Sequence, residues 1–250
     1  MKKILVAIAA VVCALNLNAQ NQQGCKNQQN CQNDSTKTNC CMTSPHHFTM
    51  SLGYGFSLSG DHDNLLQNYN TVENHNSKMR HGIDYRLDYE YNFHKNFAAG
   101  AVFNMYNAFD SYYEGDKMLG SSSDDRWIFF VGPSFTAHTN VISEHYVFFA
   151  KATAGLMNFR NVQRCLVNST DIMGNPSQSM VGTTYKRYTF GYGLSAGASY
   201  IFNKYLSLDC SIGYMGGNVS KVKANDKTFE LEENEDLSRF NINVGVKIKL

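Results

Sequence analysis

The stretch FTMSLGYGFSLS, residues 48–59, decides the fold because apolar residues alternate in it with small or polar ones without a break. A period of two places successive side chains on opposite faces of an extended strand, whereas a helix repeats about every 3.6 residues. The stretch RFNINVGVKIKL, residues 239–250, follows the same rule. Both stretches therefore predict β-strands with one apolar face and one polar face.

Six further segments alternate in the same way, so the sequence predicts about eight strands. These segments are 83–93, 97–105, 127–137, 146–156, 188–200 and 206–214. Each is close to the roughly 9–11 residues with which a tilted strand crosses a membrane. The sequence is rich in tyrosine, whose apolar ring and polar tip suit a membrane–water boundary. We predict an interfacial girdle or lipid-facing wall that contains Tyr54, Tyr89, Tyr188, Tyr200 and Tyr214.

The predicted connections are short on one side of the sheet and long on the other. Short links at 94–96 and 203–204 and a modest one at 138–145 interleave with long polar segments. The long segments are approximately 60–80, 107–125, 160–183 and 217–236. A soluble β-sandwich also alternates along its strands, but this inequality of connections is typical of outer-membrane barrels. The sequence therefore predicts an all-β fold, an eight-stranded antiparallel up-and-down transmembrane β-barrel with short periplasmic turns and long extracellular loops.

The N-terminus predicts export. Lys2 and Lys3 precede an apolar run at 4–12 that is shorter than the roughly 20 residues of a membrane-spanning helix. The small residue Ala19 follows, and we expect cleavage near it. The sequence thus predicts a signal peptide at 1–19, a disordered Asn/Gln/Cys-rich periplasmic lead-in at 20–47, and an outer-membrane barrel at 48–250.

The charge balance excludes one class of partner. The chain has 22 Lys and Arg against 21 Asp and Glu, so no strongly basic surface is available to attract nucleic acid. We therefore predict a protein without a nucleic-acid partner.

Six cysteines remain after the expected cleavage: Cys25, Cys31, Cys40, Cys41, Cys165 and Cys210. The four in the lead-in, together with His46 and His47, offer thiolate and imidazole groups that suit a soft metal. However, they contain no CxxC pair, and an oxidising compartment favours disulfides or free thiols. We therefore predict no metal site, and we place Cys210 on the lipid face as a small apolar residue.

The polar faces of the predicted strands carry charges of both signs toward the interior. Eight strands enclose a space just wide enough for side chains to fill. We predict that the charges form a hydrogen-bonded ion-pair network in the lumen. Its predicted members are Asp84, Arg86, Asp88, Glu90, Arg126, Lys151, Arg187, Asp209, Arg239 and Lys247. The alternative is that the same charges line a narrow path for ions or small solutes.

The fourth predicted strand contains Pro133, which cannot donate a ladder hydrogen bond. A closed barrel has no edge at which such a residue is tolerated. We therefore predict a bulge at Gly132 and Pro133. The continuous apolar run at 127–131 obscures the face of each residue, and we place Phe130 inside.

Together these features resemble the eight-stranded outer-membrane β-barrel proteins of the OmpA/OmpW-like, porin-type family. The resemblance covers 48–250 and depends on the aromatic and glycine alternation at 188–200, the turn IFNKYLSL at 201–208, and the alternating C-terminal strand. It implies a location in the outer membrane, in contact with its lipid, and assembly by the β-barrel insertion machinery through the last strand. Many members end that strand with an aromatic residue, where this chain has Leu250.

Candidate catalytic groups are the acidic and histidine residues of the predicted outer loops, namely Asp61, His62, Asp63, Asp124 and Asp125. Neighbouring Asp and His side chains can activate water. Such groups are common in solvated loops, and no serine nucleophile with an ordered base accompanies them. We therefore predict no catalytic residue and no cofactor. The expected role is non-enzymatic, in envelope structure or in surface display with the long loops open to an extracellular ligand, and the alternative is a narrow porin-like channel.

Overall fold

The computed structural model describes residues 45–58, 79–113, 121–142, 145–170, 176–224 and 227–250. The predicted signal peptide, most of the lead-in and the acidic cluster at 61–63 lie outside these residues. The described residues form nine strands, which are β1 (His46–Ser57), β2 (His81–His94), β3 (Phe97–Tyr113), β4 (Ser121–His138), β5 (Tyr146–Thr170), β6 (Pro176–Ile201), β7 (Leu206–Ala224), β8 (Lys227–Asp236) and β9 (Arg239–Lys249). No helix among them is long and apolar enough to span a membrane.

Eight of these strands close into a ring. Each of β1 to β6 pairs antiparallel with the next strand, β7 pairs with β9, and β9 returns to β1. Strand β8 lies outside the ring and pairs with the outer part of β7, from Asn218 to Ala224. The eight-stranded antiparallel barrel predicted from the sequence is therefore confirmed, with β8 as an additional hairpin arm.

The strands are longer than the sequence predicts. Pairing of β3 with β4 continues to Tyr113 and Ser121, and pairing of β5 with β6 continues to Thr170 and Pro176. Much of the predicted loops at 107–125, 160–183 and 217–236 is therefore β-hairpin, while the loop at 60–80 falls almost entirely outside the described residues. The alternation that predicts a strand requires one apolar environment. Hairpin arms that extend beyond a membrane have water on both faces, and they keep their pairing without that pattern.

The outer surface of the ring is apolar, which is the opposite of the surface of a soluble protein. On β1, the outward side chains of Met50, Leu52 and Tyr54 are 60%, 56% and 50% exposed. On β9, exposed Phe240, Ile242 and Val244 alternate with residues buried in the lumen. Outward Cys210 is likewise exposed, as predicted. An apolar surface around a closed ring is favourable only where the surroundings are themselves apolar.

The predicted bulge at Pro133 is wrong. Pairing of β3 with β4 passes Gly132 and Pro133 without a shift of register. On the other side, β4 keeps one register with β5 from Val131 to Ser134, and only the pairs at 132 and 133 are missing from the ladder. A side chain at Gly132 would meet the carbonyl oxygen of Ala154 at 2.2 Å, so the backbones approach closely here. The missing donor of proline is accommodated by an interrupted ladder, with no inserted residue.

Candidate functional site

The half of the lumen nearer the short turns contains a chain of ion pairs. The Lys151 ammonium lies 2.7 Å from Asp88 Oδ1 and 3.0 Å from Glu90 Oε1. The Lys247 ammonium lies 2.9 Å from Asp209 Oδ2 and 3.8 Å from Glu90 Oε2. Glu90 therefore joins two lysines that come from β5 and β9, strands that are not neighbours in the ring. Thr136 also donates a hydrogen bond to its carboxylate, at 2.6 Å.

A second group of charges lies in the middle of the lumen around Arg239, whose side chain is fully buried. Its Nη2 donates to Asn104 Oδ1 at 2.5 Å, and Asn104 Nδ2 donates to Asp84 Oδ1 at 2.8 Å. The guanidinium also lies over the ring of Tyr106, 5.2 Å from its centroid. Arg86 occupies the next inward position of β2 toward the short turns, between the two groups along the strand, and its Nε lies 2.9 Å from Asp88 Oδ2.

One strand supplies most of the acidic groups. Asp84, Asp88 and Glu90 alternate along β2 and therefore share its inward face. Their partners come from strands that are not neighbours of β2: Lys151 from β5, and Arg239 and Lys247 from β9. Because these pairs cross the lumen, they occupy its cross-section. The predicted members that the structure places in the interior are Asp84, Arg86, Asp88, Glu90, Lys151, Asp209, Arg239 and Lys247.

Two of the predicted members lie elsewhere. Arg126 forms an ion pair with Glu235, at 3.3 Å, near the end of the barrel with the long connections. Arg187 is exposed, and its placement in the network is wrong. At Arg187, β6 is paired with β5 but not with β7. The ladder between β6 and β7 is interrupted between the pairs at Lys186 and Gly191. By alternation along β6 the side chain of Arg187 would face inward, but the ladder between β6 and β7 is interrupted beside it.

The half of the lumen nearer the long connections contains an apolar cluster that the sequence did not predict. Phe130, Met157 and Phe159 are each at most 1% exposed. The other members are Met79, Val102, Tyr106, Ala108, Ile128, Met215, Val219, Val222 and Leu237. Only Phe130 was predicted to face inward, and this is confirmed. The signal was present in the unbroken apolar run at 127–131, because apolar residues on both faces of a barrel strand require an apolar interior.

A cavity of about 10 Å³ lies among the ion pairs nearer the short turns, and it is lined by Arg86, Asp88, Lys151, Asp209 and neighbouring polar residues. A water molecule requires about that volume.

The other candidate groups show no catalytic arrangement within the described residues. Asp124 is buried in β4, and Asp125 accepts a hydrogen bond from Asn107 at 2.7 Å. No cluster of three or more metal-binding side chains occurs among the described residues. The candidate metal ligands His46 and His47 contact Tyr89 and Asn92 respectively.

The geometry defines the class of protein. Every ring strand is paired on both sides, which satisfies the backbone polar groups within the sheet, as hydrocarbon requires. The wall is apolar and the interior contains buried charges in its half nearer the short turns, which is the arrangement of a barrel in lipid. The chain is a transmembrane β-barrel protein of the outer-membrane type.

Comparison with protein-family models finds no match, and comparison with curated proteins finds none. Among solved structures, the chain is similar to neisserial surface protein A, at 14% identity and a TM-score of 0.45, over 83% of this chain and 98% of that chain. It is also similar to the attachment invasion locus protein Ail of Yersinia pestis in complex with the heparin analogue sucrose octasulfate, at 14% and 0.36, over 81% and 98%. A third is the N-terminal β-barrel domain of Pseudomonas aeruginosa OprF, at 9% and 0.37, over 82% and 97%. The strand pairing of this chain itself defines its fold.

Proposed function

We propose that the protein is a closed barrel with a non-enzymatic role in envelope structure or surface display. The observation that carries the proposal is the filling of the lumen along its length. Ion pairs such as that of Lys151 with Asp88 cross the half of the lumen nearer the short turns, which we call the lower half. The apolar cluster around Met157 and Phe159 occupies the half nearer the long connections, the upper half.

Both fillings oppose the passage of ions, for different reasons. An ion that enters the apolar cluster loses its hydration without gaining a polar partner, which is strongly unfavourable. An ion that reaches the lower half must compete with cross-lumen pairs that are already 2.7 to 3.0 Å apart. The two obstacles lie in series, so passage requires both to rearrange.

Single-channel recording in planar bilayers tests this proposal. We expect no reproducible conductance steps from the pure wild-type protein. Insertion of the barrel is verified by its heat-dependent migration on gels, and a wide porin recorded under the same conditions shows that the bilayer detects channels. Reproducible steps from inserted wild-type protein would contradict the closed barrel.

The second candidate is a narrow channel, and one observation favours it. Several buried polar atoms in the lumen have no hydrogen-bond partner within the described residues, among them both amide atoms of Asn243, Oδ1 of Asn241 and Nη1 of Arg239. Hydration or a passing ion would satisfy these groups. If the wild type conducts, Lys151→Gln is expected to shift the ion selectivity, and Lys204→Gln in the β6–β7 turn, outside the lumen, serves as the control.

We also propose that the chain reaches the membrane through cleavage near Ala19 and assembly through its last strand. The proposal is supported by the pairing of β9 with both β1 and β7, which makes β9 the strand that closes the ring. The mass of the mature protein, purified from membranes, tests the cleavage. A mature chain that retains residues 1–19 would contradict it.

A further inference from the structure

A row of basic side chains crosses the outward face of three neighbouring strands near the long connections. Arg160 on β5 is directly opposite Lys186 on β6, and Lys186 is directly opposite Lys223 on β7. Directly opposed residues of an antiparallel pair share a face. The adjacent residues Phe159 and Val222 are buried inside the barrel, so the three basic side chains point outward. We call Arg160, Lys186 and Lys223 the basic row.

The height of the basic row is fixed by its aromatic neighbours. Trp127 on β4, the only tryptophan of the chain, is directly opposite Arg160. The next outward row toward the membrane contains Tyr188, which is 71% exposed, and the row below that contains Leu156 and Phe190, 62% and 64% exposed. Two residues along a strand span about 7 Å. Tryptophan and tyrosine mark the membrane–water interface, so the basic row lies at the depth of the lipid headgroups.

The positive charges of Arg160 and Lys186 are poorly balanced by the protein. Like charges directly opposite one another destabilise a pair of strands. In the part of the chain that the structure describes, neither Arg160 nor Lys186 forms an ion pair, and both are exposed. The nearest carboxylate on the outward face of β4, that of Asp125, is opposite Val162 and accepts a hydrogen bond from Asn107. An external anion is therefore the group that Arg160 and Lys186 lack.

We propose that the basic row binds the phosphate groups of lipid headgroups in the outer leaflet. Neighbouring strands are about 4.8 Å apart, so the row extends over about 10 Å and can contact two phosphates of one headgroup. A guanidinium binds phosphate oxygens through two parallel hydrogen bonds, and an ammonium adds a point charge. The proposal depends on the position of the wall in the membrane and not on the filling of the lumen. Its failure would leave the closed-barrel proposal intact, and the reverse also holds.

Trp127 provides a reporter for the test. The wild-type barrel in phosphatidylcholine vesicles is titrated with bisphosphorylated lipid A, and the emission of its single tryptophan is recorded. We expect a saturable change that weakens as salt is raised. Because each basic group near an anionic surface contributes about fivefold in affinity, R160Q/K186Q is expected to require at least about tenfold more lipid A.

Two variants and two ligands complete the design. R160K/K186R keeps both charges and is expected to bind within about twofold of wild type, and K95Q/K204Q, in the short turns at the other end, is expected to bind as wild type does. Heat-dependent migration shows that each variant is folded. A titration of R160Q/K186Q that overlays the wild type would overturn the proposal, as would an equal response to fully dephosphorylated lipid A. The same response to inorganic phosphate at equal phosphate concentration would also overturn it, because the site would then bind a free anion instead of a headgroup.

Discussion

The two halves of the lumen are filled by different interactions, although the same strands line both. Along the inward face of β5, Lys151 and Thr153 belong to the charged half, and Met157 and Phe159 belong to the apolar half. The change occurs across Gly155. In the charged half each group depends on a particular partner, whereas in the apolar half each group depends on the volume around it. The consequences of a substitution should therefore differ between them.

The largest effect is expected in the charged half. Lys151→Met leaves Asp88 and Glu90, both buried, with one cationic partner fewer. Removal of one member of a buried ion pair typically costs about 3–5 kcal/mol. We expect a loss of about 4 kcal/mol in the free energy of unfolding, measured with urea for the protein in lipid vesicles.

The double variant K151M/E90Q sharpens this expectation. It removes a positive and a negative charge together, so it should be less destabilised than the sum of its single variants. If Lys151→Met were as stable as the wild type, the charged half would not depend on its ion pairs. The proposed difference between the two halves would then be contradicted.

A somewhat smaller effect is expected in the apolar half. Met157 is fully buried and lies beneath the strand backbone at Gly191 and Gly217. Met157→Ala should lower the free energy of unfolding by about 3 kcal/mol, through lost contacts and the cavity left behind. The matched control is Leu156→Ala, one residue away on the lipid-facing wall, where the side chain is 62% exposed and a smaller loss is expected. Equal losses at 156 and 157 would mean that the cluster is not a packed core.

The sequence predicts the charged half better than the apolar half, for a physical reason. Inward charges between outward apolar residues, as at Asp84, Asp88 and Lys247, produce the period of two that identifies a barrel strand. An inward apolar residue such as Phe159 removes that contrast, and so does an outward charge such as Arg160. Because of the same loss of contrast, the sequence does not predict the hairpin extensions of β5 and β6. For Arg187, only the alternation along the strand is available, and it places the side chain inside.

The packing of the apolar half can be tested in the opposite direction by adding volume. A Cβ atom at Gly191 would lie 2.8 Å from Met157 Cε and 3.1 Å from the ring of Phe130. Because Met157 Cε is the end of a flexible side chain, Gly191→Ala should lower the free energy of unfolding by only about 1 kcal/mol. In M157A/G191A the added methyl group enters the space that Met157 leaves. The double variant should therefore be more stable than the sum of the single effects predicts, and strict additivity would contradict direct contact between the two positions.

The smallest effect is expected outside the lumen, at the ion pair of Lys221 and Glu230, which joins β7 to β8. The ammonium lies 2.5 Å from Glu230 Oε1, and both side chains are exposed. The hydrogen bond from Lys221 and its positive charge hold the pKa of Glu230 below its ordinary value. A lowered pKa in the folded state means that this pair favours folding above the pKa of the unfolded chain, and that the contribution disappears as the pH falls through the folded value. Because solvent screens the pair, Glu230→Gln should leave urea unfolding at neutral pH unchanged within error. Lys151→Met, measured beside it, shows the sensitivity of the assay, and comparable losses for the two variants would mean that burial in the lumen is not what gives its ion pairs their importance.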